Sequence, residues 1–167
     1  MLPITLAPHL LKAALIGQGD ALARREALLA KAGVEARLLP QDAPDEALRG
    51  LHLLFVAGLP EGEARALAAR ARAQGILVNV EDVLPLCDFH VPAIVRRGDL
   101  QLAVSTGGQA PGLSRRLREA LAVQFGPEWT ERLRELSRAR ARWRSEGMTM
   151  AEISRKVRDH VEKEGWL

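Results

Sequence analysis

The run Ala13-Ala14-Leu15-Ile16-Gly17-Gln18-Gly19-Asp20-Ala21-Leu22 decides how the first half of this chain folds. Four apolar residues lead into two glycines one residue apart. A helical pattern follows, carrying Ala23, Ala27, Leu28 and Ala30, and stops at Gly33. A strand that opens a helix through Gly-x-Gly suits a dinucleotide. The first glycine permits a tight turn, the second lets backbone approach a pyrophosphate, and the helix start offers free amides and partial positive charge. The third position of such a fingerprint, usually Gly or Ala, is Leu22 here, with Ala21 beside it. Standing alone, the turn reads equally well as an ordinary strand-to-helix junction.

Working outward, apolar runs at 34–39, 51–57 and 76–80 predict further strands. Between the last two, residues 61–73 form an alanine-rich helix with Ala64, Leu67, Ala68 and Ala71 on one face. Strand and helix in alternation imply a parallel sheet with right-handed crossovers. The pattern then changes. Runs at 93–97 and 100–104, separated by Gly98-Asp99, predict a hairpin. From Pro111 onward the chain reads as helical, with Leu113, Leu117, Leu121 and Phe125 in one stripe until Gly126-Pro127. Trp129, Leu133, Leu136 and Trp143 form the next stripe, ended by Gly147; this aromatic stripe is expected in a core or an interface. Thr149 and Glu152 make a capping box before a last stripe of Met150, Ile153, Val157 and Val161. The expected fold is α/β: a shortened Rossmann-type parallel sheet over 1–90, a small dimerisation hairpin region over 91–112, and an all-helical domain over 113–167. The hairpin edge and the Leu113 stripe both need a covering surface, which predicts a homodimer.

The 167 residues are 47% hydrophobic and 27% charged, which excludes disordered and fibrous classes. Cys87, the single cysteine, excludes an internal disulfide and cysteine metal clusters, and fits a cytoplasmic setting. His9, His52, His90 and His160 are too scattered for ligand spacing, so no metal site is expected. The longest apolar run, 51–59, is far short of the ~20 residues of a membrane span, and no basic leader opens the chain. Residues 1–111 carry 11 basic and 12 acidic side chains, a net −1. Residues 112–167 carry 13 and 9, a net +4, so the helical third is mildly basic. A nearly neutral first two-thirds and the absence of tyrosine argue against nucleic acid as a partner.

Three further segments are candidates for chemistry. Asn79-Val80-Glu81-Asp82 follows a strand, at the carboxyl edge where open α/β sheets place ligands. Asp82 there reads either as a general base or as a helix cap for residues 83–86. Gln41 and Asp42 follow the second strand as the nearest ribose-binding residues. Ser105-Thr106-Gly107-Gly108 before a Pro-led helix reads as an anion-binding nest or as a flexible turn, with Arg115, Arg116 and Arg118 just beyond it.

Taken in order, the motifs have a family likeness: Gly17-Gln18-Gly19-Asp20 with Arg24-Arg25, Asn79-Val80-Glu81-Asp82, Cys87-Asp88-Phe89, Pro92-Ala93-Ile94-Val95, Arg97-Gly98, and Ala103-Val104-Ser105-Thr106-Gly107-Gly108 with Pro111 and Arg115-Arg116-Leu117-Arg118. The chain resembles the sirohaem-synthesis family over about residues 11–121. Members of that family are precorrin-2 dehydrogenases, some also sirohydrochlorin ferrochelatases, and form the amino-terminal part of fused sirohaem synthases. The resemblance implies NAD-dependent oxidation of precorrin-2 to sirohydrochlorin by an interlocked homodimer, with ferrous iron a further substrate where chelation occurs. It implies Asp82 as the catalytic carboxylate, Gly17, Gly19, Asp20 and Ala21 as the phosphate turn, and Gln41 and Asp42 on the adenosine side. Asn79, Ser105, Thr106, Gly107, Gly108, Arg115 and Arg118 fall to the acidic tetrapyrrole. Thr106 stands where one branch has a phosphorylated serine.

The chain departs from the pattern in three places. Ala21-Leu22 replaces a pair of small residues, residues 39–51 leave no room for an extra strand, and Ala57-Gly58-Leu59-Pro60 replaces an Ala-Thr-Asp stretch. A rival reading is a non-enzymatic nucleotide-sensing module with a helical dimerisation tail. It would share the Gly17–Gly19 turn and make no demand on Asp82 or residues 105–108.

Overall fold

In a computed structural model of the chain, which describes residues 2–167, the apolar run at Ala13–Gly17 (β1) is the centre of a parallel sheet. Helix α1 (Gly19–Lys31), β2 (Ala36–Leu38), the single turn α2 (Asp45–Leu48), β3 (Leu53–Ala57), α3 (Glu61–Arg72) and β4 (Leu77–Val80) complete the first of two compact units, Met1–Val91. The four strands lie in the order β2-β1-β3-β4, with Leu15 paired to both Leu38 and Phe55, and Val56 to Val80. Alternate residues feed two cores. Ala14, Ile16, Leu54 and Val56 pack with Ala64, Leu67, Ala68 and Ala71 of α3 on one face; Ala13, Leu15, Leu53 and Phe55 pack with Leu29 of α1 on the other. Cover on both faces is why the inner strands read as unbroken apolar runs. Leu54 is fully buried, and its truncation to alanine would cost about 2–5 kcal/mol.

The strands begin later than their apolar runs. Val34 N–H bonds back to Leu29 O at 3.0 Å, Leu51 N–H to Leu48 O at 3.2 Å, and Ile76 N–H to Ala71 O at 3.1 Å. The first apolar residues after each helix therefore close that helix, and the ladder starts at Ala36, Leu53 and Leu77. The face of α1 also differs from the alanine pattern. Ala23, Ala27, Leu28 and Ala30 point to solvent, and Ala21, Leu22, Arg25 and Leu29 turn inward. Alanine is too small for its spacing to fix a face, and an arginine holds one of the inward positions.

The free edge of β4 is closed by side chains. The Cys87 thiol accepts from Val80 N–H (3.3 Å) and donates to Val80 O (3.1 Å). Asp88 N–H donates to Val78 O (2.7 Å), its carboxylate accepts from Val78 N–H (2.9 Å), and Arg72 holds that carboxylate at 2.9 Å. An edge strand protected in this way cannot recruit another strand.

The second unit, Pro92–Leu167, starts with the expected hairpin, β5 (Ala93–Arg97) and β6 (Leu100–Val104). Its two-residue connection has Gly98 at φ 58°, the left-handed conformation that a tight hairpin turn demands. Helix α4 (Pro111–Gln124) packs on both strands, and Arg97 secures its end by donating to Phe125 O (2.8 Å) and Ala122 O (2.9 Å). Leu113 and Leu117 remain exposed on its other side, at 53% and 44%.

Helix α5 (Trp129–Ser145) pairs with α6 (Met150–Lys163) around buried Trp143 and Ile153. Met150, expected in the α6 stripe, is instead exposed at the first helical position. The capping box forms: Glu152 N–H donates to Thr149 Oγ1 (3.3 Å) and Thr149 N–H to Glu152 Oε2 (2.8 Å). The bond from the Thr149 amide, with a second from its hydroxyl, holds the Glu152 carboxyl below the usual carboxylate range. At the C-terminus, Arg132 lies over the rings of both Trp129 and Trp166, at 5.0 and 5.1 Å. Among the described residues, no helix is long and apolar enough to cross a membrane.

Candidate functional site

The strand order reverses between β1 and β3: the chain leaves β1 for β2 on one side and returns to β3 on the other. Open α/β sheets form their ligand crevice beyond the strand ends at such a switch point. Here the two turns touch. A Cβ on Gly17 would sit 2.0 Å from Ala57 O, and one on Gly58 would sit 2.4 Å from Gln18 O. Gln18 N–H seals the contact by donating to Ala57 O at 3.1 Å. Gly17 is thus required for the approach of β3 and not for an unusual φ, a correction to its expected role as the turn glycine. Gly58 (φ 70°), which the sequence marked only as part of the departing stretch 57–60, is its counterpart across the crevice. Its signal was a glycine directly after a buried strand.

Gly19 (φ 61°) opens α1, and a Cβ there would meet nothing within 4 Å. The helix cap, Gln18, bonds no amide with its side chain. The first helix-closing bond comes from Leu22 N–H to Gln18 O, which leaves the amides of Gly19, Asp20 and Ala21 to face a ligand. Asp20 is exposed in that first turn, and Ala21 packs inward against the sheet. On the far side, Gln41 donates to Gln18 Oε1 at 3.1 Å, so it borders the glycine turn; Asp42, next to it, is exposed. A tight glycine cradle, open space above Gly19 and three unpaired amides fit the pyrophosphate of a dinucleotide.

At the end of β4, Asp82 has φ 62°, making it the one non-glycine residue with positive φ among the described residues. It is solvent-exposed. The helix-cap reading of Asp82 is overturned: the 3-10 turn covers Leu84–Leu86, its cap is Val83, and no side chain caps it. Glu81 lies between Arg24 and Arg25 of α1, each at 3.8 Å, and Arg25 also sits 5.9 Å over the Phe55 ring. Asn79 is 6% exposed and donates to Phe89 O at 2.9 Å, so it fastens the segment after Asp82. Its Oδ1 has no partner among the described residues.

In the second unit, the hydroxyls at 105–108 shape their own turn. Ser105 Oγ accepts from Gly107 N–H (3.2 Å), Thr106 Oγ1 accepts from Ala110 N–H (3.2 Å), and Thr106 shares a bond with Ser114 Oγ (3.0 Å). Gly107 and Gly108 take φ 64° and 80°. Helix α4 then starts at Pro111 with no side-chain cap. Arg115, Arg116 and Arg118 converge on Glu119 at 3.1 to 3.3 Å, and Arg115, the foremost cause, lowers the carboxyl pKa of Glu119. Among the described residues, no three His, Cys, Asp or Glu side chains are grouped to hold a metal.

Comparison with known proteins fits this geometry. Residues 4–93 match the family described as "Putative NAD(P)-binding", and residues 97–124 match "Sirohaem biosynthesis protein central". The chain belongs to the sirohaem-synthesis family of NAD(P)-binding proteins. Family members similar to it include the siroheme synthase of Methylococcus capsulatus, 34% identical over 137 residues, or 70% of this chain and 29% of that protein. The siroheme synthase of Xylella fastidiosa is 42% identical over 77 residues, 46% of this chain and 16% of that one. The chain thus spans under a third of the length of these relatives. The solved structure titled "SirC, precorrin-2 dehydrogenase" shares the fold, with a TM-score of 0.73 at 19% identity, covering 95% of this chain and 88% of that one. Family membership gives residues 4–93 a nicotinamide dinucleotide as their ligand class.

Proposed function

We propose that the chain oxidises precorrin-2 to sirohydrochlorin with NAD as acceptor. The observation that carries this is the strained, exposed Asp82 at the end of β4, two strands from a glycine cradle suited to a dinucleotide. Strain at a non-glycine residue persists where function holds it. A siroheme synthase and a precorrin-2 dehydrogenase are what the similar proteins are called.

Gly17, Gly19, Asp20 and Ala21 hold the pyrophosphate, and Gln41 and Asp42 border the adenosine side. The bound nicotinamide supplies a hydride acceptor. Precorrin-2 loses two hydrogens: a hydride leaves with its electron pair, and Asp82 takes the accompanying proton as general base. Ser105, Thr106, Gly107 and Gly108, together with Arg115 and Arg118, offer amides and positive charge to the tetrapyrrole's carboxylates.

Incubation with precorrin-2 and either NAD or NADP tests the proposal, with the visible spectrum reporting sirohydrochlorin. Faster turnover with NAD is expected, and no product with either nucleotide would overturn the reading. Ferrous iron added to the product tests chelation by the sirohaem spectrum. We propose a cytoplasmic homodimer, with the exposed Leu113 and Leu117 as part of its interface; light scattering at micromolar concentration that gives only a monomer would refute it.

A further inference from the structure

We propose that Arg25 and Glu81 are positioning residues that tie the Asp82 turn to the phosphate-binding helix. The inference rests on the dehydrogenase reading above, with Asp82 as base. Asp82 is exposed, and its direction is set by the backbone of residues 80–83, where Val83 N–H reaches Val80 O at 3.4 Å. A left-handed aspartate with so long a turn bond will relax unless something adjacent fixes it.

Glu81 is that fixture. Its N–H donates to Val56 O at 2.9 Å, and its carboxylate, only 18% exposed, lies between Arg24 and Arg25 at 3.8 Å from each. The two arginines differ. The Arg24 side chain is 64% exposed, so solvent screens it, whereas that of Arg25 is 10% exposed and lies over Phe55. Phe55 in turn meets Phe89 edge-on at 5.3 Å, on the segment that follows Asp82.

Arg25 stands one helical turn after Ala21 and one before Leu29, on the face where α1 packs against the sheet. An apolar residue would pack there without the cost of desolvating a charge. A charge at an apolar position, paired with the residue beside Asp82, is a local departure of the kind found where function imposes a demand. The pair spans from the helix that presents amides to the dinucleotide, across β3, to the turn that carries the base. It sets the distance between the two halves of the reaction.

Glu81→Gln, Arg25→Met and the double variant, made in the full chain, test this. Two measurements are needed: amide hydrogen exchange, and precorrin-2 oxidation with each substrate varied in turn while the other is saturating. Glu81→Gln is expected to speed exchange at Val83 tenfold or more while Leu54 and Val56 stay protected. It should lower kcat about tenfold with KM for both substrates within twofold, and the double variant should fall no further than the worse single one.

Unchanged Val83 exchange, or unchanged kcat despite faster exchange, overturns the proposal. So would a rise in NAD KM alone. If Arg25→Met fails to fold, Arg25→Lys replaces it and should keep more of the parent kcat than Glu81→Gln does. A parent protein that leaves precorrin-2 unchanged removes the dehydrogenase reading; the exchange arm still decides whether the pair holds the turn.

Discussion

Asp82→Gly should leave the protein at least as stable and nearly inactive. The left-handed φ of 62° costs an L-residue roughly 1–2 kcal/mol, with aspartate toward the lower end. Glycine removes that cost but gains conformational entropy when unfolded, an opposing effect of about 0.5–1 kcal/mol. The expected net gain runs from about zero to about 1 kcal/mol, and no packing is lost because the side chain is exposed. Turnover should fall by about two to four orders of magnitude, the range of a missing general base. Asp82→Asn is the control: it tolerates the same φ, so stability should stay within about 0.5 kcal/mol while turnover falls as far.

The assay for stability must observe the first unit. Trp129, Trp143 and Trp166 all lie in the second, so tryptophan fluorescence reports that unit. Urea unfolding followed by far-ultraviolet circular dichroism, with hydrogen exchange at β4, reads it directly. A less stable Asp82→Gly protein would show that the carboxylate supports the turn. Undiminished turnover in either variant would remove Asp82 from the chemistry.

Gly58→Ala should destabilise the first unit by about 1–3 kcal/mol in urea and weaken NAD binding, because its Cβ would meet Gln18 O at 2.4 Å. Gly19→Val has free space but a φ of 61° that a β-branched residue adopts only under strain, so it should cost about 1–3 kcal/mol in urea, and NAD titration of the folded variant should show no binding; retained affinity would place the cofactor elsewhere. Arg115→Glu with Arg118→Glu should weaken the tetrapyrrole more than NAD, and added salt should imitate the loss. Glu152 has a folded pKa below its unfolded value of about 4.3. Its contribution to α6 is therefore complete above that value and lost as pH falls through the lowered folded pKa. Helicity followed by circular dichroism in acid should show this in the parent and not in Glu152→Gln.

The sheet was legible because β1, β3 and most of β4 are covered on both faces, which leaves apolar runs that no amphipathic helix would carry. The strand starts were not, since a run such as Val34 to Leu38 does not reveal that Val34 N–H returns to Leu29 O. Of the candidate site, the helix-opening glycines were visible as spacing, and Asp82 as a carboxylate at a strand end. What stayed hidden depends on contacts between distant residues. Gly58 matters through Gln18, Arg25 through Glu81, and Cys87 through Val80. A one-dimensional pattern holds no record of such pairs. The inward face of α1 was hidden for a different reason: alanines on every side carry no directional signal.

The Cys87 thiol, bonded both ways to the Val80 peptide, gives the first unit a built-in stopwatch. The thiol must give up its bond to Val80 O to form the thiolate that attacks a disulfide reagent, so this rung slows labelling. With no other cysteine in the chain, the labelling rate reports this one contact with β4. The strand reported on in this way is the one that leads into the Asp82 turn. Labelling in the presence and absence of NAD would therefore report, without any catalysis, whether the cofactor steadies that strand.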